Sequence, residues 1–209
     1  MSNIKYPRTP HLPWSQGKTD DDKTLSSIKH FDGLKLMVTI KMDGENTTMT
    51  KDRVYARSVD SADHPSRHWV KSLWSQISYL IPEGWRVCGE NLFAKHSIAY
   101  ENLGSYFHVF NIWNEKNECL SWEETLEWCE LLGLKHVEVL VDDVTSDAFP
   151  MIHARFLDGY SQSHEGYVVR NRNSFEYKNF SKNVAKYVRA NHVQTDSHWM
   201  HSELIKNQL

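Results

Sequence analysis

The chain is poor in the features that mark several protein classes. It has three cysteines, Cys88, Cys119 and Cys129. That odd number, with no Cys-x-x-Cys spacing, argues against a disulfide framework and a cysteine-based zinc site. The 6 prolines and 9 glycines among 209 residues are too few and too scattered to form a linker, and no stretch repeats at a fixed period, so a single domain over 1–209 is expected. No apolar run nears the roughly 18 residues of a membrane span, and residues 1–10 lack a signal-peptide core. A cytoplasmic protein with no membrane partner follows as the expectation. Nor is there an excess of positive charge: 24 Lys and Arg stand against 27 Asp and Glu. An anionic partner must therefore be met by a local patch.

What is present suits a folded core, with 40% apolar and 12% aromatic residues. Charge is segregated along the chain. Residues 114–147 hold 2 basic and 10 acidic residues, and residues 170–192 hold 6 basic and 1 acidic. The first block reads as solvated surface, and the second is where an anionic substrate would dock. Segments 36–40, 47–51, 54–57, 85–91, 106–113, 137–141, 166–170 and 175–177 carry the β-branched and aromatic content of strands, several separated by short turn signals that suggest antiparallel pairing. Residues 121–132 read as a helix, with Ser121 and Glu124 as a capping box and Gly133 at its stop. Further helices are predicted over 66–81, 146–157 and 197–207. The pattern is α+β, without βαβ alternation or a Gly-rich dinucleotide loop.

Chemistry begins at Thr39-Ile40-Lys41-Met42-Asp43-Gly44-Glu45-Asn46, where a strand ends in a lysine just before Asp-Gly. Taken alone, Asp-Gly between two strands signals an ordinary hairpin and an exposed lysine. A lysine becomes a nucleophile only where desolvation or neighbouring cations lower its pKa, so a site would need basic partners elsewhere. Basic candidates occur at strands or strand ends, Arg57 in Tyr55-Ala56-Arg57-Ser58 and Lys186 in Val184-Ala185-Lys186-Tyr187-Val188-Arg189, together with two carboxylates, Glu90 in Cys88-Gly89-Glu90-Asn91 and Glu165 in His164-Glu165-Gly166-Tyr167-Val168-Val169-Arg170. The aromatic run 107–113, containing Phe110, lies between them.

In this order the motifs resemble those of the covalent nucleotidyltransferase superfamily, and within it the ATP-dependent RNA ligase family. The resemblance covers about residues 35–190. It implies a nucleotidyltransferase domain of two antiparallel sheets with flanking helices around an ATP cleft. It further implies that Lys41 forms the covalent lysyl–AMP bond, Glu90 contacts the ribose, Phe110 stacks on the adenine, Glu165 serves magnesium or manganese, Lys186 holds phosphate, and Arg57 contacts phosphate or ribose. Ile40 and Thr39 stand where many relatives place a glutamate that reads the adenine amino group, which leaves ATP against GTP open. Where relatives often have Phe-Asp, this chain has Phe110-Asn111. Lys178 and Lys182 precede Lys186 closely, and each is a candidate for the phosphate role, with Lys186 preferred.

The inventory suits the reaction. Attack on the α-phosphate of ATP passes through a charge-rich transition state that cations and magnesium stabilise. The expected function is the joining of RNA 5′-phosphate and 3′-hydroxyl ends, in single strands or a nicked duplex. The alternatives are a minimal DNA ligase, an RNA-capping guanylyltransferase, or a nucleic-acid-binding module without catalysis. The first two relatives usually carry an additional oligonucleotide-binding-fold domain, for which 23 residues after Lys186 leave no room. Among lesser features, the histidines of 192–201 are read as structural or substrate-facing, the segment 6–14 as packing over the core, and Tyr100, Trp113 and Trp199 as aromatics that could stack on bases.

Overall fold

The computed structural model describes residues 4–59, 63–190 and 204–209. In chain order its strands are β1 (Leu36–Lys41), β2 (Glu45–Met49), β3 (Val54–Ala56), β4 (Arg86–Asn91), β5 (Phe107–Trp113), β6 (Glu118–Cys119), β7 (Lys135–His136), β8 (Val139–Val144), β9 (Gly166–Asn171), β10 (Phe175–Glu176) and β11 (Val184–Val188). Its α-helices are α1 (His68–Ile77), α2 (Trp122–Leu132), α3 (Phe149–Gly159) and α4 (Phe180–Asn183). The chain forms two units. The first is Pro7–Met42 with Val137–Gln194, and the second is Met1–Tyr6, Asp43–His136 and Thr195–Leu209.

The first unit is built on a four-stranded antiparallel sheet in the order β11-β9-β1-β8. β1 is buried nearly throughout, as a central strand covered on both faces must be. On one face Tyr167 and Tyr187 stack with ring centroids 5.0 Å apart, and Phe156 of α3 meets them edge-on at 5.4 and 5.8 Å. The N-terminal segment runs along β11: Lys186 N–H donates to the Pro10 carbonyl at 2.9 Å, and Leu12 N–H to the Lys186 carbonyl at 2.8 Å. Leu12 and His11 are fully buried there, in keeping with the packing read for 6–14.

In the second unit the strands run β6-β5-β4-β2-β3, with β7 parallel to β5 and the other pairs antiparallel. Phe107, Val109 and Ile112 of β5 join Val70 and Ile77 of α1 and Cys129 and Leu132 of α2 in one apolar core. The α2 terminus forms as the sequence predicts: Ser121 and Glu124 make the reciprocal capping box, and Gly133 closes the helix at φ 65°.

Several expectations are corrected. Asp43-Gly44 does not close a hairpin, because β1 pairs with β8 and β9 while β2 pairs with β3 and β4. The chain leaves one sheet at Lys41 and enters the other at Glu45. The predicted strand 47–51 lies at Glu45–Met49, since Thr50 and Arg53 close the following turn. Helix 146–157 begins only at Phe149, because Pro150 suits a first turn and not an interior. Of the helix predicted over 197–207, residues 197–203 lie outside the described residues, and Lys206 instead makes an isolated antiparallel bridge to Ala94.

Candidate active site

Lys41 is the last residue of β1, and its Nζ lies 2.7 Å from Glu165 Oε2. Glu165 is nearly buried at 6% exposure, and Lys41 is partly so. The register explains how Lys186 joins them. Thr39 and Lys186 both pair with Val168, on opposite edges of β9. Directly paired residues share a face, and residues two apart along a strand share it again, so Lys41 and Lys186 stand on one face of the sheet. Gly166, after Glu165, has a packing reason: a Cβ there would collide with the Tyr187 carbonyl of β11.

The three candidate phosphate lysines are thereby separated. Lys178 is exposed and bound to Glu176, with Nζ 3.1 Å from Oε1. Lys182 is exposed on α4. Lys186 is partly buried, 3.7 Å from Asp22 Oδ1. Asp22 also lies 3.4 Å from the Nε2 of His11, whose Nδ1 is 2.7 Å from Ser15 Oγ. Burial, reinforced by the Lys186 ammonium, pushes the His11 pKa down to about 4, so the imidazole is neutral at physiological pH. Against the upward push of burial, the hydrogen bonds from Thr19 and the Lys186 charge hold Asp22 below its ordinary value. Sequence reasoning did not find Asp22, because nothing local ties it to a lysine 164 positions later.

In the second unit the sequence Asp43-Gly44 is gripped by backbone hydrogen bonds. Asp43 Oδ2 accepts the N–H groups of Ser97 and Ile98 at 2.8 and 2.9 Å, and Asp43 N–H donates to the Tyr100 hydroxyl at 2.9 Å. Gly44 N–H donates to Glu90 Oε1 at 3.2 Å. A Cβ on Gly44 would lie 2.5 Å from the Asn91 carbonyl, so only glycine fits. Glu45 makes a two-point ion pair with Arg67. Arg57 donates from Nε to the Tyr6 carbonyl at 3.3 Å.

Phe110 owes its direction to a bulge. The β4–β5 register jumps from Cys88↔Asn111 to Gly89↔Val109, leaving Phe110 as the extra residue. The jump keeps Phe107, Val109 and Ile112 all in the core, and Phe110 is half-buried with its ring edge-on to Tyr6, centroids 5.1 Å apart. Asn111 is fully buried, accepts from the Tyr6 hydroxyl at 2.6 Å and donates to Cys119 Sγ at 2.8 Å. An amide can do both at once, and a buried carboxylate could not donate.

Other candidates are placed less favourably. Ile40 is a core residue, 1% exposed, whose N–H donates to the Glu138 carbonyl. Trp113 and Tyr100 are buried, which removes them as base-stacking platforms, and Trp199 and the histidines of 192–201 lie outside the described residues. In the basic block, Arg170 is buried, Arg172 is 3.1 Å from Asp142 and Lys178 is paired with Glu176. Its surface charge is smaller than its composition.

Two antiparallel sheets with four flanking α-helices among the described residues, and a lysine–glutamate pair at the end of a sheet strand, define a nucleotidyltransferase-type fold. The sequence model of the RNA ligase family matches residues 34–188, and the chain belongs to that family. No curated protein sequence matches it. Among solved structures it is similar to an archaeal ATP-dependent RNA ligase (TM-score 0.56, 17% identity, covering 88% of this chain and 48% of that one). It is similar also to Naegleria gruberi RNA ligase with PPi (TM-score 0.54, 18% identity, 90% and 61% covered). A third is a putative ATP-dependent DNA ligase from Aquifex aeolicus (TM-score 0.53, 22% identity, 88% and 50% covered). The chain thus spans 48% to 61% of the length of these structures, and likenesses at such identities establish the fold. No helix among the described residues is long and apolar enough to cross a membrane.

Proposed function

We propose that the chain carries out ATP-dependent RNA ligation, joining 5′-phosphate to 3′-hydroxyl ends through a lysyl–AMP and an adenylylated polynucleotide. One observation carries the reading: in a member of the RNA ligase family, Lys41 sits 2.7 Å from Glu165 on the sheet face that also bears Lys186. Lys41 must give up a proton and its ion pair before it attacks. Its Nζ then forms the bond to the α-phosphorus of ATP as the P–O bond to pyrophosphate breaks. An oxygen of the RNA 5′-phosphate takes the AMP from Lys41, and the 3′-hydroxyl finally attacks that 5′-phosphorus and displaces AMP.

Lys186 is the cation for the phosphate oxygens, and its partner Asp22 is an anion that a phosphate can replace. Glu90, Arg57 and Phe110 are assigned to the ribose, the phosphate or ribose, and the adenine. A divalent cation would neutralise charge building on the transferred phosphate. Glu165 is a suitable hard ligand for it, and among the described residues no group of three or more His, Cys, Asp or Glu is placed to hold a metal ion. Structures of Naegleria gruberi RNA ligase variants with ATP and Mn support this choice of nucleotide and metal class.

The test is transfer of label from α-phosphate-labelled ATP to the protein in magnesium, followed by peptide mapping. Lys41→Ala should take up no label. Label found on Lys178 or Lys186 overturns the assignment. Matched RNA and DNA nicks and ends then separate RNA ligation from DNA ligation, which the likeness to the Aquifex aeolicus protein keeps as the second reading.

A further inference from the structure

Between β4 and β5 runs a long connection, 92–106, with no helix or strand of its own. Connections of that length inside a compact unit are uncommon and tend to be functional. This one holds the residue after Met42, because Ser97, Ile98 and Tyr100 bind Asp43 through its carboxylate and its N–H. What holds the connection is Asn207, which is 3% exposed. Its Nδ2 donates to the carbonyls of Leu92 and Ala94 at 2.8 and 3.4 Å, and its Oδ1 accepts from Tyr100 N–H at 2.9 Å. Its backbone N–H donates to the Phe93 carbonyl at 3.1 Å, and its carbonyl accepts from the Tyr106 hydroxyl at 2.9 Å. Lys95 N–H donates to the Ile205 carbonyl and Gln208 N–H to the Tyr100 carbonyl, so residues 205–208 supply the ladder that the connection lacks.

We propose that residues 204–209 form a strap in which Asn207, acting through Tyr100, fixes the Asp43-Gly44 turn two residues after Lys41. Tyr100 and Asn207 are thus positioning residues for nucleotide transfer. The proposal rests on the reading of Lys41 as nucleophile. Asn207 lies outside the residues 34–188 that the family model matches. Every group in the relay is a backbone amide, a phenol, a side-chain amide or the Asp43 carboxylate. The loss on breaking it is one of geometry, since none of these groups is asked to bind the nucleotide.

The experiment uses the full chain and two variants. Tyr100→Phe removes one hydroxyl and keeps the ring, and Asn207→Ala removes the staple. Adenylylation at saturating ATP should slow about tenfold in Tyr100→Phe and more in Asn207→Ala, with the ATP concentration at half-maximal rate changed less than about twofold. Hydrogen exchange reads the positioning without activity: in Asn207→Ala the amides of Asp43, Ser97 and Ile98 should exchange at least about tenfold faster, with Val87 and Ile112 in the sheet unchanged. Normal rates in both variants, or unchanged exchange at those three amides, overturn the strap. Faster exchange in a protein whose wild-type form takes no label supports the strap's hold on the turn and overturns the nucleophile reading instead.

Discussion

The two units hold their candidate site residues by different physics. In the first, Lys41 is held by Glu165 and Lys186 by Asp22, both through side-chain ion pairs. In the second, Asp43 and Glu90 are held by backbone N–H groups, and Phe110 is aimed by a bulge in the sheet. Ion pairs can be exchanged for a phosphate or a metal, and backbone hydrogen bonds cannot move without moving the fold. On the proposed reading, the first arrangement suits charges that change partners during a reaction, and the second suits a surface that stays rigid.

Breaking the first arrangement should damage chemistry more than stability. Glu165→Ala should lower adenylylation by at least about 100-fold, since metal-assisted charge neutralisation is worth several kcal/mol, while the melting transition stays cooperative. An unchanged rate at limiting magnesium would remove Glu165 from the metal role. Breaking the second arrangement should also show in stability. Asp43→Ala strips the acceptor from two N–H groups and should cost about 2–3 kcal/mol in urea unfolding, as charged hydrogen bonds do. A loss below about 0.5 kcal/mol would mean that the carboxylate is not holding the connection.

A pH dependence belongs to the first unit. Because the His11 pKa is lowered to about 4 in the fold, the unfolded chain binds a proton there first. His11 therefore contributes fully above about pH 6.5, and its contribution falls as pH drops from there toward 4, by up to about 3 kcal/mol. Unfolding free energies of the wild type and His11→Gln at pH 7 and pH 4.5 check this, and parallel losses in the two proteins would refute it.

Smaller effects sharpen the same contrast. Phe110→Ala should weaken ATP binding by about 1–3 kcal/mol, the range of a lost stacking face, with titration calorimetry as the readout. Unaltered affinity would mean that the adenine stacks elsewhere. Smallest of all, Lys178→Ala should change adenylylation by less than about twofold, because its exposed pair with Glu176 is worth little. A large loss there would return Lys178 to the phosphate role.

Much of the molecule was legible without coordinates, because its signals are local. The α2 capping box, the β-branched and aromatic content that marks β4 and β5, and the ordered motifs around Lys41, Glu90, Phe110, Glu165 and Lys186 depend on residues near one another in the chain, so the fold class and the family followed from them. The two-residue strands β6 and β7 were invisible, being too short to show a period. What only tertiary structure decided are pairings across distance. These are the crossing of Asp43-Gly44 between sheets instead of a hairpin, the placement of Lys186 on the sheet face of Lys41, the bulge at Phe110, and the grip of Asn207 on a connection about 100 residues earlier. A local pattern fixes which elements form because its energy lies within a few residues. Register and hydrogen bonding between distant segments are settled only when the whole core packs, since a one-residue slip in either partner would turn every side chain to the other face.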